Sequence, residues 1–153
     1  MAKGKGRKPG SGARKKAAKT KKPVRKAPAT AEVLVNILPA APDTLRGKRD
    51  RALLLIGFGA ALRRSELVDL NVNDIDWRPG GALIHIGRSK TDQEGKGQAV
   101  VVPNGHRLEP VAALRDWLTS AEIVEGPLFR EIDRHGNVGT DALSTRAVAR
   151  ASR

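Results

Sequence analysis

No cysteine and no tyrosine occur among the 153 residues, and the aromatic side chains number two tryptophans and two phenylalanines. Without thiols there is neither a disulfide framework nor a thiolate metal site. Without tyrosine no phenolic hydroxyl is available to any site. No apolar run approaches the roughly 20 residues that span a bilayer, and the N-terminus lacks the apolar core of a signal peptide. Phosphate-binding G-x-x-x-x-G-K-S/T, H-E-x-x-H and clustered metal ligands are missing too, so no metal and no small-molecule cofactor is expected. The expected setting is a soluble protein of the cytoplasm with no membrane partner.

Positive charge is abundant but uneven. The formal net charge is +13, from 29 Lys and Arg against 16 Asp and Glu. Twelve of the basic residues fall in residues 1–30, where no acid occurs, leaving 17 basic against 16 acidic residues in the remainder. The basicity therefore belongs to a tail and not to one face of a domain. Residues 1–30 are mostly Lys, Arg, Gly, Ala and Pro. They cannot bury enough apolar surface to offset their ordering entropy and are predicted to be disordered. Their charge density suits salt-dependent association with phosphate backbones, with Arg14, Lys15, Lys16, Lys21 and Lys22 as candidate DNA contacts. The texture KKAAKTKKPVRKAPA resembles the tails of histone-like and nucleoid proteins.

Residues 31–153 carry the periodic signals of one modest domain. Val33, Leu34, Ile37 and Leu38 share one face of a short first helix. Asp43-Thr44 opens a second helix that runs through the apolar stretch Ala52–Ile56. Two arginines follow, Arg63 and Arg64, and a cation pair abutting a buried helix is costly unless an anion meets it. Ser65 is predicted to cap the next helix, with Glu66 to Leu70 as its body. Arg63 would project from the corner, with Glu66 one turn away to orient it. Spacing alone fits equally well a surface corner whose arginines are merely solvated.

Further along, residues 73–76 and 78–81 read as turns. Residues 82–86 and 99–103 read as two strands joined by the polar loop Arg88 to Gln98, a hairpin. Val111, Leu114, Trp117 and Leu118 have helical spacing, with Trp117 as a core residue. Residues 126–130 are expected to be extended, residues 133–137 to turn, and Ser144 to cap a last helix. The predicted fold class is mainly α with a small antiparallel β-hairpin or sheet (α+β).

The string ALRRSELVDLNVNDIDW closely resembles the first arginine box of the tyrosine recombinases, the phage-integrase family. That box often reads (G/A)-L-R-x-S-E-L-x-x-L followed by a D-I-D-like turn. The resemblance implies that Arg63 is the first catalytic arginine and Glu66 its acidic partner, and it places Asp50 in the family's R-D-R-A-L-L pattern. IHIGRSKT, residues 84–91, resembles the hairpin that carries the family's catalytic lysine. Lys90 matches that lysine, with Lys96 in its G-K-G turn as the second choice. A lysine on a hairpin tip can reach a DNA groove and protonate a leaving 5′-oxygen. Arg64, Arg88 and Lys96 are then further DNA contacts. The P-L-F segment and the L-S-x-R-A-V helix extend the resemblance over about residues 33 to 153. It implies a partial tyrosine-recombinase catalytic fold, with DNA and other integrase-like protomers as partners.

The family's chemistry needs two arginines, a lysine, one or two histidines and a tyrosine that forms a 3′-phosphotyrosyl link. The one H-x-x-R match, His85-Ile86-Gly87-Arg88, precedes the lysine, whereas the family's box follows it on a helix. Residues 31–153 are accordingly expected to be an incomplete integrase-like catalytic domain behind a basic tail, residues 1–30. Such a chain would be associated with DNA recombination and integration, binding DNA but unable to cleave it alone. Lacking the later helices, it would expose apolar surface on the Leu53–Phe58 and Val111–Leu118 helices. The alternative is a non-catalytic DNA-associating protein acting through its Lys-rich tail; in a bacterium either would sit at the nucleoid. Deleting residues 1–30 should weaken duplex-DNA binding and flatten the dependence of log K on log salt by about 0.9 for each lost phosphate contact. Titrations at several salt concentrations check this, and an unchanged slope would show that the tail does not touch DNA.

Overall fold

The computed structural model describes Gly4, residues 30–87 and residues 97–151. Arg14, Lys15, Lys16, Lys21 and Lys22 of the tail, together with Arg88, Lys90 and Lys96, lie outside the described residues. The first helix, α1 (Ala31–Ile37), starts at Thr30, whose hydroxyl oxygen accepts the Val33 N–H at 3.4 Å. Its predicted four-residue apolar face is narrower than expected. Leu34 is buried and Leu38 half-buried, while Val33 and Ile37 remain exposed. Pro39 sits in the 3-10 turn Leu38–Ala40, which leads the chain away before that face can close on the core.

Helix α2 (Leu45–Gly59) is capped by Thr44, whose side-chain oxygen accepts the Gly47 N–H at 3.1 Å. The short helix α3 (Arg64–Asp69) follows, then a 3-10 turn, Val72–Asp74. Strands β1 (Ile75–Arg78), β2 (Gly81–Ile86) and β3 (Gln98–Pro103) form an antiparallel sheet in that order. Helix α4 (Pro110–Ser120), strands β4 (Arg130–Ile132) and β5 (Val138–Ala142), and helix α5 (Thr145–Ala151) complete the order. Ser144 accepts the Ala147 N–H at the start of α5, as its position suggested. No helix among the described residues is long and apolar enough to cross a membrane.

The sheet register pairs Ile75 with Ile84 and Ile84 with Val100, and Trp77 with Ala82 and Ala82 with Val102. Ile75, Ala82, Ile84 and Val102 are buried, so one face of the sheet looks into the core. Strand β1 corrects the expected turn over residues 73–76. The turn ends at Asp74, whose carboxylate accepts the Asn71 N–H at 2.9 Å, and Ile75 begins a strand because β2 lies alongside to pair with it.

Helices α2 and α4 run antiparallel. At one end Lys48 Nζ meets Asp116 Oδ1 at 2.9 Å and Ser120 Oγ at 3.0 Å; at the other, Gly59 faces Pro110. Leu53, Ile56, Leu114 and Trp117 are fully buried. The expected exposure of apolar surface on these two helices is therefore mostly absent. Each helix covers the other, and Phe58, 39% exposed, is the large side chain of the Leu53–Phe58 stretch left open. Trp117 is a core residue whose Nε1–H donates to the Leu128 carbonyl at 2.9 Å.

A second hairpin, β4–β5, flanks the expected turn at residues 133–137. Within it the Asp133 carboxylate accepts the N–H groups of His135 and Asn137 and the Asn137 side-chain amide, at 2.7–2.9 Å. The Asn137 side chain first, and then these N–H groups, hold the Asp133 carboxyl below its ordinary pKa.

Alanine is favoured over glycine inside a helix by about 1 kcal/mol. At Gly47 the sign should reverse, because a Cβ there would stand 1.9 Å from the Pro42 carbonyl oxygen. Gly47→Ala is expected to destabilise the chain by about 1–3 kcal/mol, read as a lower urea midpoint; an unchanged or higher midpoint would contradict this packing.

Candidate functional site

The corner between α2 and α3 is built by the way α2 ends. The Ala61 N–H donates to the Phe58 carbonyl at 3.2 Å and the Leu62 N–H to the Gly57 carbonyl at 3.0 Å, a Schellman motif. Its left-handed position, usually glycine, is Ala61 with φ +51°. Half-buried Leu62 packs against the core just beyond it. The chain then leaves the helix in a fixed direction, and the next residue is Arg63.

Arg63, not Ser65, occupies the N-cap position of α3. Its backbone is extended, and its N–H donates to Glu66 Oε2 at 2.7 Å. An arginine side chain has no acceptor, so only the Glu66 half of a capping box is formed. Ser65 lies exposed in the first turn, displaced from its expected role because the Glu66 carboxylate fixes the helix start two residues earlier. The anticipated orienting contact is present in a loose form, with Arg63 Nη1 at 3.6 Å from Glu66 Oε1.

The Arg63 side chain is 85% exposed. An exposed pair of this kind contributes about 1 kcal/mol or less, so it does not lock the guanidinium away from a stronger anion. Arg64 is exposed beside it. The structure thus brings together Arg63, Arg64 and Glu66. Lys90, Arg88 and Lys96 belong to the connection between β2 and β3, whose described arms end at the pair Ile86 and Gln98.

His85 lies in strand β2, so its H-x-x-R spacing does not fall on a helix. Its Nε2 is 3.8 Å from Asp76 Oδ2, which accepts Arg78 Nη2 at 2.9 Å. No group of acids and histidines fit to hold a metal occurs among the described residues. A mostly apolar recess of about 430 Å³ lies between α1, the end of α2 and residues 103–110, lined by Val35, Phe58 and Leu108 among others but not by Arg63 or Glu66.

Arg49 escaped the sequence reading. It is 7% exposed, donates from Nε and Nη2 to Asp50 Oδ1 at 2.9 and 2.7 Å, and from Nη1 to the Arg130 carbonyl at 3.2 Å. Adjacent residues on a helix do not face each other, so a neighbouring Arg and Asp give no signal of such a pair. Arg115, stacked over the Trp77 ring at 4.5 Å, is likewise invisible in sequence because it joins α4 to β1.

The model of the phage integrase family matches residues 29–135. An integrase/recombinase XerD homolog of Selenomonas ruminantium is 40% identical over 109 residues, covering 70% of this chain and 32% of the relative. A tyrosine recombinase of Synechococcus elongatus is 37% identical over 95 residues, 60% of this chain and 27% of that one. The chain thus spans about a third of the length of such relatives. Among solved structures, the XerH site-specific recombinase bound to its difH substrate superposes with a TM-score of 0.54 at 20% identity, over 80% of this chain and 35% of that one. This last likeness concerns the fold alone.

A left-handed alanine costs about 1–2 kcal/mol relative to glycine. Ala61→Gly should therefore stabilise the chain by about 1 kcal/mol while leaving the corner in place. A raised urea midpoint checks this, and a fall would mean that Ala61 contributes packing that outweighs the strain.

Proposed function

The chain belongs to the phage integrase family, and on that premise we propose that residues 31–153 form part of a recombinase catalytic domain that engages DNA through the α2–α3 corner. Arg63 would meet the phosphate at the exchange point and neutralise charge as it builds on the pentavalent phosphorus. Glu66 would hold it in direction, and Lys90 would give a proton to the departing 5′-oxygen. Arg64, Arg88 and Lys96 would add phosphate contacts beside the site, and residues 1–30 a sequence-independent electrostatic hold. Such a protein works in the cytoplasm, at the nucleoid in a bacterial cell, together with DNA and further integrase-like protomers.

The observation that carries this reading is Arg63 itself. Its backbone is fixed by the Schellman turn and by Glu66, while its side chain stands 85% exposed. Arg49, by contrast, spends its donors on the protein. With no tyrosine in the sequence, these residues supply no phosphotyrosyl nucleophile. Alone they are proposed to bind DNA without cutting it.

Arg63→Ala is expected to weaken duplex binding several-fold and to reduce the salt slope by about 0.9, one phosphate's worth, with Arg63→Lys between the two. Nicked suicide substrates should give no covalent protein–DNA adduct on denaturing gels. An adduct would overturn the non-cleaving part of the proposal. Unchanged binding by Arg63→Ala, together with loss on tail deletion, would leave the tail as the DNA-associating element.

A further inference from the structure

Helix α3 is six residues long, too short to be stable in isolation, so its direction must be imposed from both ends. The Schellman turn and Glu66 hold its start. Its end is held by the segment Glu125–Arg130, which runs antiparallel beside Leu70–Val72. There the Leu128 N–H donates to the Leu70 carbonyl at 2.8 Å and the Val72 N–H to the Gly126 carbonyl at 2.9 Å, with Asn71 bridging to Pro127.

That segment is in turn folded around one side chain. Arg130 turns back on its own loop, donating from Nε to the Pro127 carbonyl at 3.2 Å and from Nη2 to the Glu125 carbonyl. Gly126 has φ +78°, and a Cβ there would stand 3.3 Å from Arg130 Nη2, so the loop is wrapped closely on the guanidinium. The Arg130 carbonyl accepts from Arg49 Nη1, and Arg49 is clamped to Asp50, both on α2. Two arginines thus join the middle of the fold to the exit of α3.

We infer that Arg130 is a positioning residue: by clamping Glu125–Arg130 it fixes the exit of α3 and hence the direction of Arg63, at the other end of the six-residue helix. No DNA contact is proposed for it. Its effect on DNA binding rests on the proposed role of Arg63, whereas its effect on the corner does not.

Amide hydrogen exchange and a double-mutant cycle on the full chain test this. In Arg130→Ala the amides of Val72, Leu128 and Arg63 should all exchange at least ten-fold faster, with those of Leu53 and Leu114 little changed. Arg130→Lys, which can replace one of the two donations, should fall between, and it decides the matter if the alanine variant does not fold. Faster exchange at Leu128 with an unaltered Arg63 amide would overturn the inference. For binding to a random-sequence duplex, Arg130→Ala should cost several-fold in the Arg63 background and less than two-fold in the Arg63→Ala background, a comparison in which the tail cancels. Equal losses in both would overturn it as well. Should Arg63→Ala alone leave affinity unchanged, the phosphate reading fails, and exchange at the Arg63 amide by itself decides the clamp.

Discussion

Helix α2 packs antiparallel on α4, and this contact sets the position of everything that follows α2 in the chain. Leu53, Ile56, Leu114 and Trp117 are each at most 1% exposed, and burying one such side chain contributes about 1.5–3 kcal/mol. Fifteen residues of α2 make a stiff rod of about 22 Å. Its far end is referenced to the sheet, where Gly59 faces Val102, and its near half to residues 125–130 through Arg49. On α4, Trp117 donates to Leu128 and reaches the same segment from another side. The corner carrying Arg63 is therefore located by packing that lies well away from it.

Both helices of this pair end alike. After α4, the Glu122 N–H donates to Thr119 and the Ile123 N–H to Leu118, with Glu122 at φ +54° in the position Ala61 holds after α2. In each case an apolar residue follows, Leu62 or Ile123, packed against the core. That packing offsets the left-handed penalty of a residue bearing a Cβ. Since the α4 ending carries no candidate site, left-handed backbone at Ala61 is no sign of function in itself. What distinguishes the α2 ending is the exposed arginine placed immediately beyond it.

Much of this was legible in the sequence, for local reasons. The apolar periods of α2 and α4, the core role of Trp117, the β2–β3 hairpin and the Ser144 cap all depend on residues near one another in the chain, and all are found. The missed strands also pair with near neighbours in the chain, but strong turn signals beside them masked their alternation. Ile75–Arg78 follows a turn-forming Asn-Asp pair and pairs with β2 across the two-residue turn at Pro79-Gly80, so turn signals stand on both sides of it. Strands β4 and β5 surround a turn whose residues dominated the reading. The arginine-box string located Arg63 and Glu66, but local preference put the helix cap at Ser65. The Glu66 carboxylate, captured by the Arg63 N–H, decided otherwise. Arg49 and Arg130 were beyond reach, because an adjacent acid and nearby loop carbonyls as acceptors leave no residue pattern to read.

The geometry of Glu66 also explains how an arginine can be directed without being neutralised. One carboxylate oxygen is committed to the backbone at 2.7 Å, and the other stands 3.6 Å from the guanidinium, too far for a strong bidentate pair. In the proposed role, a tighter pair would have to be broken before a phosphate could bind, and the lost contact would be subtracted from the affinity. A missing pair would leave a long, rotamer-rich side chain to be ordered at the moment of binding. The same carboxylate both starts the helix and stands beside the guanidinium. A shorter acid at position 66 could still cap the helix, but it would draw back from the Arg63 side chain. In the proposed role, the length of the glutamate, together with a helix held at its far end by residues 125–130, would turn an exposed arginine into a directed one.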